Sequence, residues 1–311
     1  MEPLLAADPS RIGGHRLLGR LGSGGMGVVY LGRTDDGALA AVKVIRAEYA
    51  DEADFRARFR REAEIAARVD SPWAVRVTGA DPDAAEPWLA TTFVPGPSLA
   101  EAVTAHGPLP GPAVRVLGRA LAQALAVMHD QGLVHRDVKP ANVLLGTDGP
   151  RLIDFGIARG AEHTALTATD VLVGTPGFLP PEQASGRPAE PAGDVFSLGC
   201  LLAYAATGVL PFGTGAVDAV LYRTVHDAPD FGPEVLADPD LDALLRTCLA
   251  KDPALRPGAR ELAGALGADA PGDGVGWLPD AVVATVAQRA AALLALPGIE
   301  ETVADPAAAP A

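Results

Sequence analysis

The chain has 311 residues, with 25 Lys+Arg against 39 Asp+Glu, a formal charge of −14. Its 49% hydrophobic and 21% charged content excludes wholesale disorder, because such a chain can bury a core. The acidic balance excludes a general nucleic-acid binder, which needs a basic stripe to neutralise phosphates.

Cys200 and Cys248 are the only cysteines and form no CxxC pair, so neither a disulfide framework nor a zinc site is expected, and a reducing cytoplasm is the natural compartment. Met1 to Arg11 lacks the apolar stretch of a signal peptide. No window reaches the roughly 18 apolar residues of a transmembrane helix.

In chain order, Leu17–Leu21 and Gly27–Gly32 read as strands, Asp35-Asp36-Gly37 supplies a turn, and Ala40–Ile45 reads as a third strand. From Asp54 to Val69 the period becomes helical, with Phe55, Phe59, Ile65 and Val69 near one stripe. Trp88–Val94 is a further strand, and Pro95-Gly96-Pro97 marks a boundary between lobes. Beyond Ser98 helices dominate. Val114, Leu117, Leu121, Leu125 and Met128 recur at helical spacing up to Gly132, and Phe196–Ala206 is apolar enough for a buried helix. Leu241–Leu249, Ala259–Leu266 and Asp280–Leu296 complete the predicted helices. Gln288 and Arg289 argue against membrane insertion of the last of these. Ala304–Ala311 is Ala/Pro-rich, as a linker would be.

Four segments carry chemistry. Gly22-Ser23-Gly24-Gly25-Met26-Gly27 is a GxGxxG, but Val28-Val29-Tyr30-Leu31 follows it. A dinucleotide fingerprint needs a helix there, so the expectation is a hairpin whose bare backbone N–H groups can lie over phosphates. A hairpin with no ligand accounts equally well for this segment alone. Lys43 interrupts an apolar strand. It is either an edge residue reaching solvent or an ammonium aimed at phosphate and held by Glu62 or Glu64. His135-Arg136-Asp137-Val138-Lys139-Pro140-Ala141-Asn142 concentrates polar side chains between an apolar helix and Val143-Leu144. There Asp137 can accept a hydroxyl proton, Lys139 can neutralise a phosphoryl group, and Asn142 can ligate Mg²⁺. Asp154-Phe155-Gly156 follows a strand-like run and offers a second oxygen ligand for a hard cation, although such turns are common.

The order of these motifs from His15 to Leu266 resembles the eukaryotic-like bacterial serine/threonine protein kinases. The resemblance rests on the Gly-rich loop with Val29, Ala41-x-Lys43, a helix glutamate and HRDxKxxN at 135–142. It continues through DFG at 154–156, Gly174-Thr175 before Pro181-Glu182, Asp194 and Arg256. It implies an α+β, bilobal fold: a small lobe of antiparallel sheet plus one helix at about 15–94, and a mainly helical large lobe at about 98–268. Residues 1–14 and 269–311 would then be extensions.

By the same resemblance the chain transfers the γ-phosphoryl group of ATP to Ser/Thr hydroxyls of proteins, using Mg²⁺ with Mn²⁺ as a substitute. Asp137 is then the base, Lys139 the phosphate-stabilising residue, and Asn142 and Asp154 the metal ligands. Lys43 contacts the α/β-phosphates and is oriented by Glu62, preferred over Glu64 because Arg60-Arg61-Glu62-Ala63 is similar to the family's helix motif. Leu21, Gly22, Ser23, Gly24, Gly25, Met26 and Gly27 cover the nucleotide. Val29, Ala41 and Leu144 sandwich adenine, Thr91 is the gatekeeper, and Phe93 and Val94 lie in the hinge. Lys139 points to the Ser/Thr class, and Ile157 is similar to the residue of threonine-preferring members. Thr167 and Thr169 are the expected autophosphorylation sites, with Arg136 pairing the phosphate.

Glu182 is expected to pair with Arg256, and Asp194 to anchor the catalytic loop. Pro180 replaces the usual Ala or Ser before Pro-Glu, and Pro95 and Ser71 also depart from the pattern. The resemblance further implies protein substrates, self-association through small lobes, and a tether to a membrane where such a chain continues into a spanning segment. A pseudokinase scaffold is the rival reading; it predicts loss of Lys43, Asp137, Asn142 or Asp154, all of which are present. A Rossmann oxidoreductase is disfavoured by the hairpin after the glycines.

Overall fold

The computed structural model describes residues 1–24, 27–46, 53–155, 176–267 and 276–294. The small lobe is a six-stranded antiparallel sheet in the order β1-β2-β3-β4-β6-β5. Its strands are β1 (Arg11–Ile12), β2 (His15–Gly24), β3 (Gly27–Arg33), β4 (Leu39–Ile45), β5 (Val77–Asp81) and β6 (Trp88–Thr92).

The side-chain period of two divides this sheet cleanly. Leu17, Tyr30, Ala40, Val42, Val44 and Ala90 form a small core on one face. On the other face Val29 sits opposite Lys43 and Ala41 opposite Thr91. Lys43 therefore shares a face with Val29, Ala41 and Thr91, which removes the reading of an edge lysine: β4 is an inner strand. Helix α1 (Ala53–Ala66) lies on that side and buries Phe55, Phe59, Ala63 and Ala66 against Ile45, Leu89 and Val75.

The large lobe is built on α3 (Gly111–Asp130) and α5 (Pro191–Thr207), with α2 (Leu99–His106) leading in from the lobe boundary. Val114, Leu117, Leu121, Leu125 and Met128 are fully buried along one row of α3. Helix α5 is buried almost all round, as its apolar sequence implies, and stops at Gly208 in the left-handed conformation. Around them pack α4 (Pro181–Ala184), α6 (Val217–His226), α7 (Pro233–Leu236), α8 (Pro239–Cys248) and α9 (Ala259–Leu266). Helix α10 (Asp280–Leu294) follows; residues 295 and 296 of the predicted helix lie outside the described residues. No described helix is long and apolar enough to cross a membrane.

A hairpin of β7 (Val143–Gly146) and β8 (Gly149–Leu152) lies where the lobes meet. Val75 N–H donates to Leu152 O at 3.0 Å, Leu152 N–H to Trp73 O at 2.8 Å, and Leu145 N–H to Pro97 O at 2.9 Å. This hairpin brings the two polar motifs that flank it under the small sheet.

Candidate active site

The Gly-rich segment folds as a hairpin. β2 and β3 pair antiparallel up to Gly24 opposite Gly27, and no helix follows. Gly27 is required by packing, since a Cβ there would lie 2.0 Å from Val44 O. Leu21, Gly22, Ser23 and Gly24 are exposed, so their backbone is open to a ligand. Gly25 and Met26 lie outside the described residues.

Below the sheet, residues 135–142 form a tightly bonded loop. Asp194, at the start of α5 and 2% exposed, accepts from His135 N–H and Arg136 N–H, both at 2.8 Å. His129 Nε2 donates to the same carboxylate at 2.8 Å. The His135 ring donates from Nε2 to Ile153 O at 3.0 Å and accepts from Asp137 N–H at Nδ1 at 3.3 Å. This pair of bonds fixes its tautomer. Arg136 and Asp154 hold φ of 65° and 60°, the described non-glycine residues with positive φ. Backbone strain of this kind persists where the surroundings over-determine the conformation, commonly at functional sites.

Asp137 is the convergence point. Lys139 Nζ lies 2.9 Å from its Oδ2, and Asn142 Nδ2 donates to its backbone O and to Oδ2, each at 2.9 Å. Those bonds occupy the Asn142 amide nitrogen and leave the amide oxygen as its ligating end. Ile153 N–H donates to Asn142 O at 2.9 Å, tying the loop to the strand that delivers Asp154. Among the described residues no cluster of three or more His, Cys, Asp or Glu could hold a cation unaided. Asn142 and Asp154 instead offer hard oxygen donors from two segments. That fits Mg²⁺, which takes one or two protein oxygens and fills its octahedron with phosphate and water.

One expected contact is corrected. Glu62 is oriented toward Arg136, whose Nη1 donates to Oε1 at 2.7 Å, and not toward Lys43. Lys43 Nζ is ion-paired with Asp154 instead. The two candidate carboxylates differ in burial: the Glu62 side chain is 16% exposed and contacts Arg136, whereas Glu64 is exposed. Burial pushes the Glu62 carboxyl above its ordinary value and outweighs the opposing pull of Arg136. The charge-assisted contact from Arg136 compensates part of that burial.

Val29, Ala41, Thr91, Phe93, Val94 and Leu144 are all half-buried around the cleft between the sheet and β7. Glu182 and Arg256 form a buried bidentate pair at 2.7 and 2.8 Å. Pro180 is accommodated with extended backbone before α4, whose first residue is Pro181, where the missing N–H is harmless. Thr164, Thr167, Thr169, Gly156, Ile157, Gly174 and Thr175 lie outside the described residues.

Sequence reasoning missed β1, β5, β7, α2, α4, α6 and α7. It also missed two side chains that reach this region from the C-terminal segment, Trp277 and Arg289. Ser98-x-x-Glu101 is a capping box, a readable signal for the start of α2. His129 carried no signal beyond its place at the end of α3.

Comparison with known proteins agrees with this geometry. The Protein kinase domain family matches residues 15–265. The chain is similar to "Probable serine/threonine-protein kinase PkwA" of Thermomonospora curvata, 46% identical over 279 residues, covering 90% of this chain and 37% of that protein. It is likewise similar to "Serine/threonine-protein kinase AfsK" of Streptomyces griseus, 47% identical over 301 residues, covering 93% of this chain and 37% of that protein. The chain thus spans little more than a third of the length of these relatives. The crystal structure of the Mycobacterium tuberculosis PknI kinase domain superposes with a TM-score of 0.67 at 28% identity, over 85% of this chain and 98% of that one. The chain belongs to the protein kinase family, in the serine/threonine class found in bacteria.

Proposed function

We propose that this domain transfers the γ-phosphoryl group of ATP to serine or threonine hydroxyls of proteins, with Asp137 as base. The observation that carries this reading is the convergence of Lys139 and Asn142 on Asp137, together with Lys43 on Asp154 across the cleft. Asp137 orients the attacking hydroxyl and takes its proton as the oxygen–phosphorus bond forms and the bond to the ADP oxygen breaks. Lys139, held 2.9 Å from Asp137, shields the negative charge of the approaching phosphoryl oxygens. Lys43 would serve the α/β-phosphates, and Asp154 and Asn142 would hold Mg²⁺, which would supply neutralisation of phosphate charge.

Leu21, Val29, Ala41 and Leu144 enclose adenine, with Thr91, Phe93 and Val94 along its inner edge. Thr167 and Thr169 are proposed as autophosphorylation sites, and proteins as substrates. The cytoplasm, where ATP and reduced thiols coexist, is the proposed compartment; Mn²⁺ is a proposed alternative to Mg²⁺.

The test is incubation of the purified chain with Mg-ATP, followed by intact mass and phosphopeptide mapping, beside Asp137→Asn. Phosphate on Thr167 or Thr169 in the wild type and not in the variant is the expected result. ATP binding with no transfer in either protein would favour the scaffold reading instead.

A further inference from the structure

The family match ends at residue 265, yet Trp277, Leu278, Val282 and Val286 beyond it are buried. Trp277, Leu278 and Val282 belong to the main core and are 5%, 6% and 1% exposed. Trp277, Arg289 and Thr285 carry polar contacts from this segment to β7, the lobe boundary and α2. Trp277 Nε1 donates to Gly146 O, the last residue of β7, at 3.1 Å. Arg289 Nη1 donates to Gly96 O at 3.2 Å, and its guanidinium grips the Glu101 carboxylate at 2.8 and 3.3 Å. His106 and Thr285 are joined at 3.0 Å, which fixes the far end of α2 to α10.

These anchors matter because the hinge exit and β7 already touch. A Cβ on Gly96 would lie 2.1 Å from Leu145 O, so the two backbones are in direct contact. Leu145 N–H donates to Pro97 O, and Ser98 pairs with Leu144. Leu144 is the side chain proposed as the adenine floor, and Val94 lies two residues before Gly96. Glu101 in turn accepts from Ser98 N–H at 2.7 Å, so the carboxylate that Arg289 grips also starts α2. Burial works against the Glu101 charge, but Arg289 and the Ser98 N–H together hold its carboxyl below the ordinary value. A displacement of Gly96 or Glu101 is therefore transmitted to both walls of the adenine slot.

We propose that Arg289, brought in by α10 from outside the matched domain, is a positioning residue for nucleotide binding: by holding Gly96 O and Glu101 it fixes the hinge exit against β7, with Trp277 bracing the last residue of that strand. This rests on the reading of the cleft as an ATP site. Arg289 touches no reacting group. Its ion pair is half-exposed, with side-chain exposures of 43% and 54%, so its contribution to global stability is small.

That combination gives a test that a merely structural role would not pass. The whole 311-residue chain is compared with Arg289→Ala, Arg289→Lys and Trp277→Phe for binding of Mg-ADP by calorimetry, for KM of ATP against kcat, and for thermal midpoint. Arg289→Ala should raise Kd and KM roughly 2- to 5-fold, the effect of losing one exposed charge-assisted contact, with kcat unchanged. Its melting should shift little. Arg289→Lys should recover part of the binding, since it keeps the charge and loses the fork. Trp277→Phe keeps the ring and removes the donor to Gly146 O, so its Kd should rise as well. Unchanged Kd in both Arg289→Ala and Trp277→Phe, with nucleotide bound normally by the wild type, overturns the proposal. Failure of the wild type itself to bind Mg-ADP would overturn the ATP reading beneath it.

Discussion

Glu62 of α1 and Arg136 of the catalytic loop are joined at 2.7 Å, an ion pair that runs from the small lobe to the large one. The same two residues are the ones that phosphorylation and phosphate binding are expected to claim separately: Arg136 for a phosphothreonine, Glu62 for Lys43. In this arrangement each holds the other, and Lys43 rests on Asp154. Were Thr167 or Thr169 phosphorylated as proposed, the phosphate would compete with Glu62 for the guanidinium with a larger charge, and a freed Glu62 would be available to Lys43.

The wild type should therefore be activated by its own phosphorylation, by roughly the 5- to 150-fold typical of coupled sites. Arg136→Ala should bring phosphorylated and dephosphorylated rates to within about twofold of each other. Peptide phosphorylation rates before and after phosphatase treatment decide the matter; a full activation ratio in Arg136→Ala would rule the exchange out.

Asp137→Asn keeps the shape of the loop but not the proton acceptor. Transfer should fall about 10²- to 10⁴-fold, while Mg-ADP binding stays within about twofold. Parallel rate and calorimetric measurements test this, and retention of more than a tenth of the rate would remove Asp137 from the role of base.

Glu182 and Arg256 are 5% and 0% exposed in their side chains and bonded twice. Arg256 also donates to Ala250 O, Ala192 O and Lys251 O. Replacing either partner alone, as in Glu182→Leu or Arg256→Leu, strands a buried charge and should destabilise by about 3–5 kcal/mol. Urea unfolding monitored at two wavelengths gives the number directly. A loss under about 1 kcal/mol would mean that water reaches the pair.

Lys251 is pushed down to about 8 by burial, although it donates to Thr224 O and stacks over Phe212 at 4.0 Å. The folded state therefore releases this proton before the unfolded state, whose lysine titrates at 10.5. Between those two values the unfolded chain binds more protons, so stability rises with pH there, and the penalty on the charged form is complete below about 8. Relative to Lys251→Met, the wild type should gain stability from pH 7.5 to pH 9.5. Thermal midpoints of both proteins across that range check the sign, and parallel curves would contradict it.

Much of this was readable before any coordinates. The alternation in β3 and β4, the long apolar row of α3 and the saturated burial of α5 are period and composition effects that sequence carries directly. Asp137, Lys139 and Asn142 were adjacent enough that their convergence followed from the loop itself. What was not legible depended on partners far apart in the chain. Glu62 meets Arg136 across 74 positions, a contact that spacing does not encode. β5, with Gly79 and Ala80 at its centre, lacks β-branched content there, and only pairing with β6 makes it a strand. Arg289 escaped because its helix is amphipathic like any surface helix, and its target is a backbone oxygen.

The bonds that tie His135 to Ile153, Ile153 to Asn142 and Asp194 to His135 and Arg136 have a dynamic consequence. They make the base and the segment carrying the second metal ligand one cooperative unit, which opens to exchange only when α5 and the hairpin part. In amide hydrogen exchange, His135, Arg136 and Ile153 should share one slow rate, while α1, which carries Glu62, exchanges on its own schedule. In the proposed reaction the small lobe would then be the part that closes, on a large lobe whose bonded loop stays assembled between turnovers.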